Sequence, residues 1–353
     1  VTSDANEPVP PQPPSDETEV VGSLPLHPVP PGVMRRLMQV DRTRVIRIAI
    51  AIVLIIVSAI TNRGFLGWGL LVVLGVMVVP VGRARSFLIA FVPYAGVWFT
   101  FTAMRSLADE TVFARTLNLH VAEFERELFG GRIPTVRLQD KYFEPGHAGW
   151  LDYFLTFIHW SYFVIPHVVA VTIWYKRPAL FRRFLTAMAL MLAMGLAIYF
   201  LIPTNPPWLA PEPINSPSAA VVYRIMETVG KELGGGIYEA SYRVIGESNP
   251  RAAMPSMHLA FTALLIFPAF QFSRRWGYAA VVYTGLMGLA LVYLGEHYVT
   301  DLFVGFLCAG WGWIAAGTWL NVAAPVVRRR TAATSASSDP PAEAIPQPAA
   351  GQV

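Results

Sequence analysis

The chain has 353 residues, of which 54% are hydrophobic and only 14% charged, a balance that excludes an ordinary soluble domain and points to a polytopic membrane protein. Its formal net charge of +4 arises from short Lys/Arg clusters between apolar runs, where they set topology and leave no nucleic-acid-binding face. The single cysteine, Cys308, lies inside one of those runs, which excludes both a disulfide framework and a thiolate metal cluster.

Residues 1–40 contain "EPVPPQPPSDE" and lack apolar periodicity, so they read as a disordered tail with no cleavable signal expected; residues 326–353 read as a second one. Between the tails, apolar runs near 44–61, 66–82, 86–105, 150–174, 183–203, 254–272, 276–294 and 298–324 predict about eight transmembrane helices in an all-α fold. Residues 41–85 hold the first two, and 86–325 make the main membrane domain.

The basic clusters, from Arg35 and Arg36 through "YKRPALFRR" to the final "RRR", all fall on one side of this arrangement. That side is expected to be cytoplasmic, as are both termini of this multi-pass cell-membrane protein. Segments 106–149 and 204–253 then face outward, and the first contains "FARTLNLHVAEFERELFG", whose apolar residues recur at helical spacing. A helix lying on the membrane surface and one capping the bundle are both open readings.

The fourth span carries "FIHWSYFVIPH", with His159 and His167 about two turns apart. Each is either a hydrogen-bonded core histidine or, for His159 nearer the outer face, a contact to a headgroup or acceptor. Trp208, Trp276 and Tyr298 need only the interfacial aromatic belt to explain them.

The sixth and eighth spans both run from outside to inside, so their starts share one membrane depth. Pro255-Ser256-Met257-His258 opens the sixth, and "GEHYVTDLFVG" opens the eighth with His297 and Asp301. The i, i+4 spacing puts His297 and Asp301 on one face, where the carboxylate can take one imidazole N–H and leave the other nitrogen to act. Two helix starts side by side also offer unpaired N–H groups to a phosphate. Taken singly, each motif has an ordinary alternative in helix initiation or a solvated histidine; their appearance on the same membrane face favours function.

These residues resemble the type 2 phosphatidic acid phosphatase superfamily, whose later signatures centre on Pro-Ser-x-His and His-x-x-x-Asp. "RELFGGRIPTVRLQ", "IPTNPPWLAPE" and "HYVTDLFVGF" are more narrowly similar to the inositol phosphorylceramide synthase-like branch. The resemblance implies a six-helix catalytic core preceded by two extra helices. It implies His297 as the nucleophile that carries a phosphohistidine, Asp301 as its orienting partner and His258 as the acid for the leaving oxygen. Ser256 and nearby backbone N–H groups are implied phosphate contacts. Pro207, in the matching "PTNPP" element, is a further candidate substrate contact, as are Tyr298 and, on the reading of the fourth span above, His159. Neither a metal nor another cofactor is implied.

One departure stands out. Phosphatases of this superfamily carry a Lys-x6-Arg-Pro signature and an arginine six residues before the second histidine, a position occupied here by Leu291. "KRPALFRR" belongs to the cytoplasmic side and is no replacement. Arg251, just ahead of the Pro-Ser-Met-His, is the first candidate for the missing charge, followed by Arg243, Arg137 and Lys141. Three readings remain: a transferase moving a phosphate-bearing headgroup to or from a lipid at the outer leaflet, a lipid phosphatase of the same fold acting on phosphatidate or a polyprenyl phosphate, and a non-catalytic transporter or assembly partner. The membrane and a lipid substrate are the expected partners.

Overall fold

The computed structural model describes residues 81–107, 120–209, 221–234 and 252–323, with the single positions 46, 49, 75 and 79. Its helices are α1 (Val81–Arg105), α2 (His120–Leu128), α3 (Pro134–Tyr142), α4 (Trp150–Ser161), α5 (Ile165–Lys176), α6 (Pro178–Leu201), α7 (Ile225–Glu232), α8 (Met257–Phe272), α9 (Arg274–Tyr293) and α10 (Val299–Thr318). A π-helical turn, Trp319–Ala323, continues α10, and a 3-10 turn spans Pro207–Leu209. Among the described residues the only bridge pairings are isolated ones.

This is the all-α polytopic membrane fold expected from composition. The helices α1, α6, α9 and α10 are each long and apolar enough to cross a bilayer, and α4 and α5, bent by 40° at the break between them, are so when taken together. Helix α8 is apolar but has only 16 residues. The predicted tails lie outside the described residues, as do nearly all of the spans predicted at 44–61 and 66–82.

The sequence predicts one unbroken helix over 150–174, whereas the chain breaks at Tyr162–Val164. Pro166 explains it, because it has no N–H to return to the Tyr162 carbonyl and its ring crowds that position. The helix expected from "FARTLNLHVAEFERELFG" is seen as α2 in its second half, and it caps the bundle. Val121 and Ala122 are buried with Tyr298 and Val136. Glu125, fully buried, accepts hydrogen bonds from the Thr300 N–H at 2.9 Å and the Thr300 hydroxyl at 3.0 Å, covering the start of α10. Burial pushes the Glu125 carboxyl above the usual carboxylate range, against the pull of these donors.

Close packing fixes the core. Helix α8 pairs with α9, and α10 lies against both α6 and α8. A Cβ on Gly312 would stand 2.7 Å from the Ala187 carbonyl oxygen, so α10 meets α6 backbone to backbone. An aromatic face of α1, with Phe87, Phe91, Tyr94 and Trp98, packs on Trp174, Phe181 and Phe261. Arg83 stacks over Tyr175 at 4.3 Å, Arg177 Nη1 donates to the Gln271 carbonyl at 2.7 Å, and Arg183 stacks over Trp313 at 4.1 Å. These cations gather where α5, α8 and α10 finish; α8 and α10 start at the opposite end.

Candidate active site

The site is built where α8 and α10 begin. The Ser256 N–H donates to the Asp301 carbonyl at 3.0 Å, and the Ser256 hydroxyl caps α8 by accepting from Leu259 N–H at 3.4 Å. A Cβ on Gly305 would collide with the Ser256 carbonyl oxygen, so a glycine on the inner face of α10 is what lets the two starts approach.

Within this joint, His297 Nδ1 lies 3.3 Å from Asp301 Oδ2, and His297 Nε2 lies 3.4 Å from His258 Nδ1. The same carboxylate oxygen accepts the Tyr298 N–H at 2.9 Å, which fixes it as the N-terminal box of α10. Asp301 is fully buried and His297 nearly so, while His258 is the partly open residue in an otherwise buried Ala252–Ala260 stretch. Asp301 therefore orients one nitrogen of His297 and aims the other at His258. That is the arrangement a nucleophile and a proton donor need.

The turn that carries His297 is held from three directions. Glu296 and His297 N–H groups both reach the Leu291 carbonyl, at 3.0 and 3.2 Å. Gly295 has φ +82°, and a Cβ there would press on the Tyr223 carbonyl oxygen at 2.8 Å. Gln139, in the "PTVRLQ" stretch, donates to the carbonyls of Tyr223 and Tyr293 at 2.9 and 2.8 Å and accepts from Tyr223 N–H at 2.9 Å. One amide thus ties α3, the chain before α7 and the end of α9 to the turn that carries His297.

The two membrane histidines part company. His167 Nδ1 pairs with the Tyr94 hydroxyl at 2.7 Å, the core role. His159 is 2% exposed, its ring centroid is 4.9 Å from that of His258, and neither of its nitrogens has a hydrogen-bond partner among the described residues. Tyr162, at the α4–α5 break, lies edge-on to His258 with centroids 4.5 Å apart.

A sequence profile described as the PAP2 superfamily matches residues 146–315, the stretch that contains all three histidines of the site and Asp301. Residues 146–315 belong to the PAP2 superfamily. The chain is also similar to a phosphoinositol dihydroceramide synthase of Bacteroides thetaiotaomicron, with 27% identity over 245 residues that cover 65% of this chain and 76% of the relative. No solved structure matches the chain. A PAP2 domain and a synthase relative make the protein an enzyme of the PAP2 lipid phosphotransferase or phosphatase type.

Two arginines near this PAP2 site come from parts of the chain that no motif marks. Arg224 pairs with Glu296, the neighbour of His297, through Nε–Oε1 at 2.8 Å, and its guanidinium stacks 4.4 Å over the Trp208 ring. Arg105, at the end of α1, lies 5.8 Å over the Tyr199 ring. The Tyr199 hydroxyl in turn donates to the Pro255 carbonyl at 2.9 Å. Their proximity to the site depends on tertiary packing, which local spacing does not reveal.

The other sequence candidates fall as follows. Arg251 and Arg243 lie outside the described residues. Arg137 donates to the Phe129 carbonyl and Lys141 sits over the Tyr142 ring, both exposed. Tyr298 is 1% exposed among Val121, Val136 and Met254, and burial raises its phenol far above the ordinary value, so it stays neutral. Pro207 is buried in the 3-10 turn beside Trp208, whose backbone N–H donates to the Gly295 carbonyl at 3.2 Å.

Proposed function

We propose that this enzyme is a phosphotransferase that moves a phosphate-bearing headgroup between lipids at the outer face of the membrane, through a phosphohistidine on His297. The alignment of His258 Nδ1, His297 Nε2 and Asp301 Oδ2, with successive separations of 3.4 and 3.3 Å, carries the reading. In the first step Nε2 bonds to phosphorus as the bond to the leaving oxygen breaks, and His258 gives that oxygen its proton. Asp301 holds the proton on Nδ1 and balances the charge on the ring. In the second step an acceptor oxygen bonds to phosphorus, the electron pair of the P–N bond returns to His297, and His258, now neutral, takes the acceptor's proton.

Negative charge on the transferring group needs fixed cations, and Leu291 supplies none. Arg224 and Arg105 take that part. Arg224 is held by the Glu296 carboxylate and the Trp208 ring, which orients its fork before substrate arrives. The name of the Bacteroides relative supports a phosphoinositol headgroup and a ceramide-type acceptor as the first pair to try.

The outward orientation is supported by the basic end of the bundle, which lies at the inner ends of α5, α8 and α10 under the positive-inside rule. The test is a single turnover with a phosphorus-labelled lipid donor, quenched and assayed for an acid-labile, base-stable adduct. The wild-type protein gives the adduct and His297→Ala does not; an adduct surviving in His297→Ala overturns the reading.

A further inference from the structure

The break between α4 and α5 has the site on one side and a groove on the other. Above it stand His159, with two unpartnered ring nitrogens, and Thr156, fully buried with an unpartnered hydroxyl one turn earlier on the same helix face. A buried polar atom left without a partner costs about 1–3 kcal/mol, so three of them within four residues, in a membrane span, mark a place that a ligand completes. Imidazole and hydroxyl each donate and accept, which matches an alcohol.

Below the break a groove of about 440 Å³ runs between α5, α8 and α9, lined by Ile165, Val169, Leu265, Ala269, Ala280 and Tyr283. Its lining is almost wholly apolar, and the exposed Val168 at its margin opens it toward the bilayer. The Tyr283 hydroxyl meets Ser161 Oγ at 2.8 Å, so the groove reaches the last residue of α4, two positions beyond His159. The bend therefore stands between the polar pair and the apolar groove.

We propose that the bent α4–α5 span seats a lipid alcohol as the acceptor, with its hydroxyl on His159 and Thr156 and its hydrocarbon chain in the α5–α8–α9 groove. This rests on the phosphotransfer reading and adds to it the acceptor's place. His159 holds the hydroxyl beside His258. As the acceptor oxygen bonds to phosphorus, the P–N bond to His297 breaks and the hydroxyl proton passes to His258.

The test uses the full-length protein in vesicles, a fluorescent phosphatidylinositol as donor, and two alcohol probes, long-chain dihydroceramide and glycerol. His159→Phe is expected to lower transfer to both alcohols by roughly ten-fold or more, the loss of one or two hydrogen bonds, and His159→Gln, which keeps a donor and an acceptor, to recover part of it. Thr156→Val moves the same way by less. Ala280→Phe fills the groove and raises KM for dihydroceramide by roughly ten-fold with no change for glycerol or donor. A parallel measurement needs no turnover: a photoreactive long-chain alcohol should label α5 and α9 peptides in wild type and in His297→Ala, and less in Ala280→Phe. Undiminished transfer in His159→Phe, no recovery in His159→Gln, a raised donor KM in Ala280→Phe, or photolabelling elsewhere overturns the proposal. Loss of turnover dependence on His297 overturns the phosphohistidine reading instead, and the photolabel still decides the groove.

Discussion

The Ser256 N–H and the Asp301 carbonyl oxygen, 3.0 Å apart, join the two motifs of the site directly through the backbone. The bond sets the first turn of α8 against the first turn of α10, so the distance between the histidines is a property of backbone packing and not of side-chain choice. Gly305 permits it, because any Cβ there would meet the Ser256 carbonyl. Gly305→Ala is therefore expected to destabilise the protein by about 1–3 kcal/mol and to lower turnover by more than the unfolded fraction accounts for. Thermal unfolding in detergent, compared with activity at a temperature where the variant is folded, separates the two effects; unchanged activity would mean the joint does not set the reacting geometry.

His297 and His258 are asymmetric, since only His297 contacts the buried carboxylate. His297→Ala should abolish turnover and adduct together. His258→Ala should lower turnover by roughly 10²- to 10⁴-fold with a lipid donor, yet still form adduct from a donor whose leaving group needs no proton. Matching losses of adduct in the two variants would remove this division of roles.

Arg224 has a structural partner and a proposed substrate. Arg224→Gln should lower kcat/KM by roughly 10- to 100-fold, the range for losing a charge-assisted hydrogen bond. Arg224→Lys should recover only part of it, because an ammonium cannot reproduce the fork held between Glu296 and Trp208. Arg105→Gln should also lose activity through its place over Tyr199, whose hydroxyl holds the Pro255 carbonyl at the start of the Ser256–His258 turn. Full activity in both glutamine variants would move the phosphate's cations elsewhere.

Orientation gives a direct measurement. Glu144 is exposed near the start of α4 and Ala179 is exposed at the start of α6, opposite ends of the bundle. In intact cells, a cysteine at Glu144 should react with an impermeant thiol reagent and one at Ala179 should not, while native Cys308 is buried and stays silent. Reversed labelling would put the site, and its lipid pool, in the cytoplasmic leaflet.

Local sequence carried a good part of this. His297 and Asp301 are four residues apart, His297 in the turn before α10 and not on the helix as the spacing predicts, Asp301 in its first turn, and His258 opens a span of the same direction, so spacing and span order bring them together. The 3.6-residue periodicity and the apolar runs gave the core spans. Long-range partners were not legible in that way: Arg224 meets Glu296 across 72 residues, and Gln139 meets Tyr293 across 154. The α4–α5 break had a local signal in Pro166, overshadowed by the apolar run around it. His159 and His167 look alike in the sequence; Tyr94, on a different helix, pairs with His167 and not with His159.

Whether water or a lipid alcohol completes the reaction is the remaining choice, and the site's enclosure bears on it. A phosphohistidine is open to hydrolysis, so a transferase must keep water from His297 while it holds an acceptor close. His297 is 6% exposed, and the Gly295 turn before it is covered by the Tyr223 carbonyl, Val222 and Gln139. With a phosphatidylinositol donor and no acceptor, purified protein should release little phosphorylated headgroup; adding a lipid alcohol should yield a new lipid and raise donor consumption by roughly ten-fold or more. Loosening the cover with Gln139→Ala should shift the balance toward hydrolysis, since it unties Tyr223 and Tyr293 from α3. Rapid hydrolysis of phosphatidate or a polyprenyl diphosphate by wild-type protein, indifferent to any alcohol, would instead make it a phosphatase, because an enclosure that does not discriminate against water cannot be the reason the site is closed.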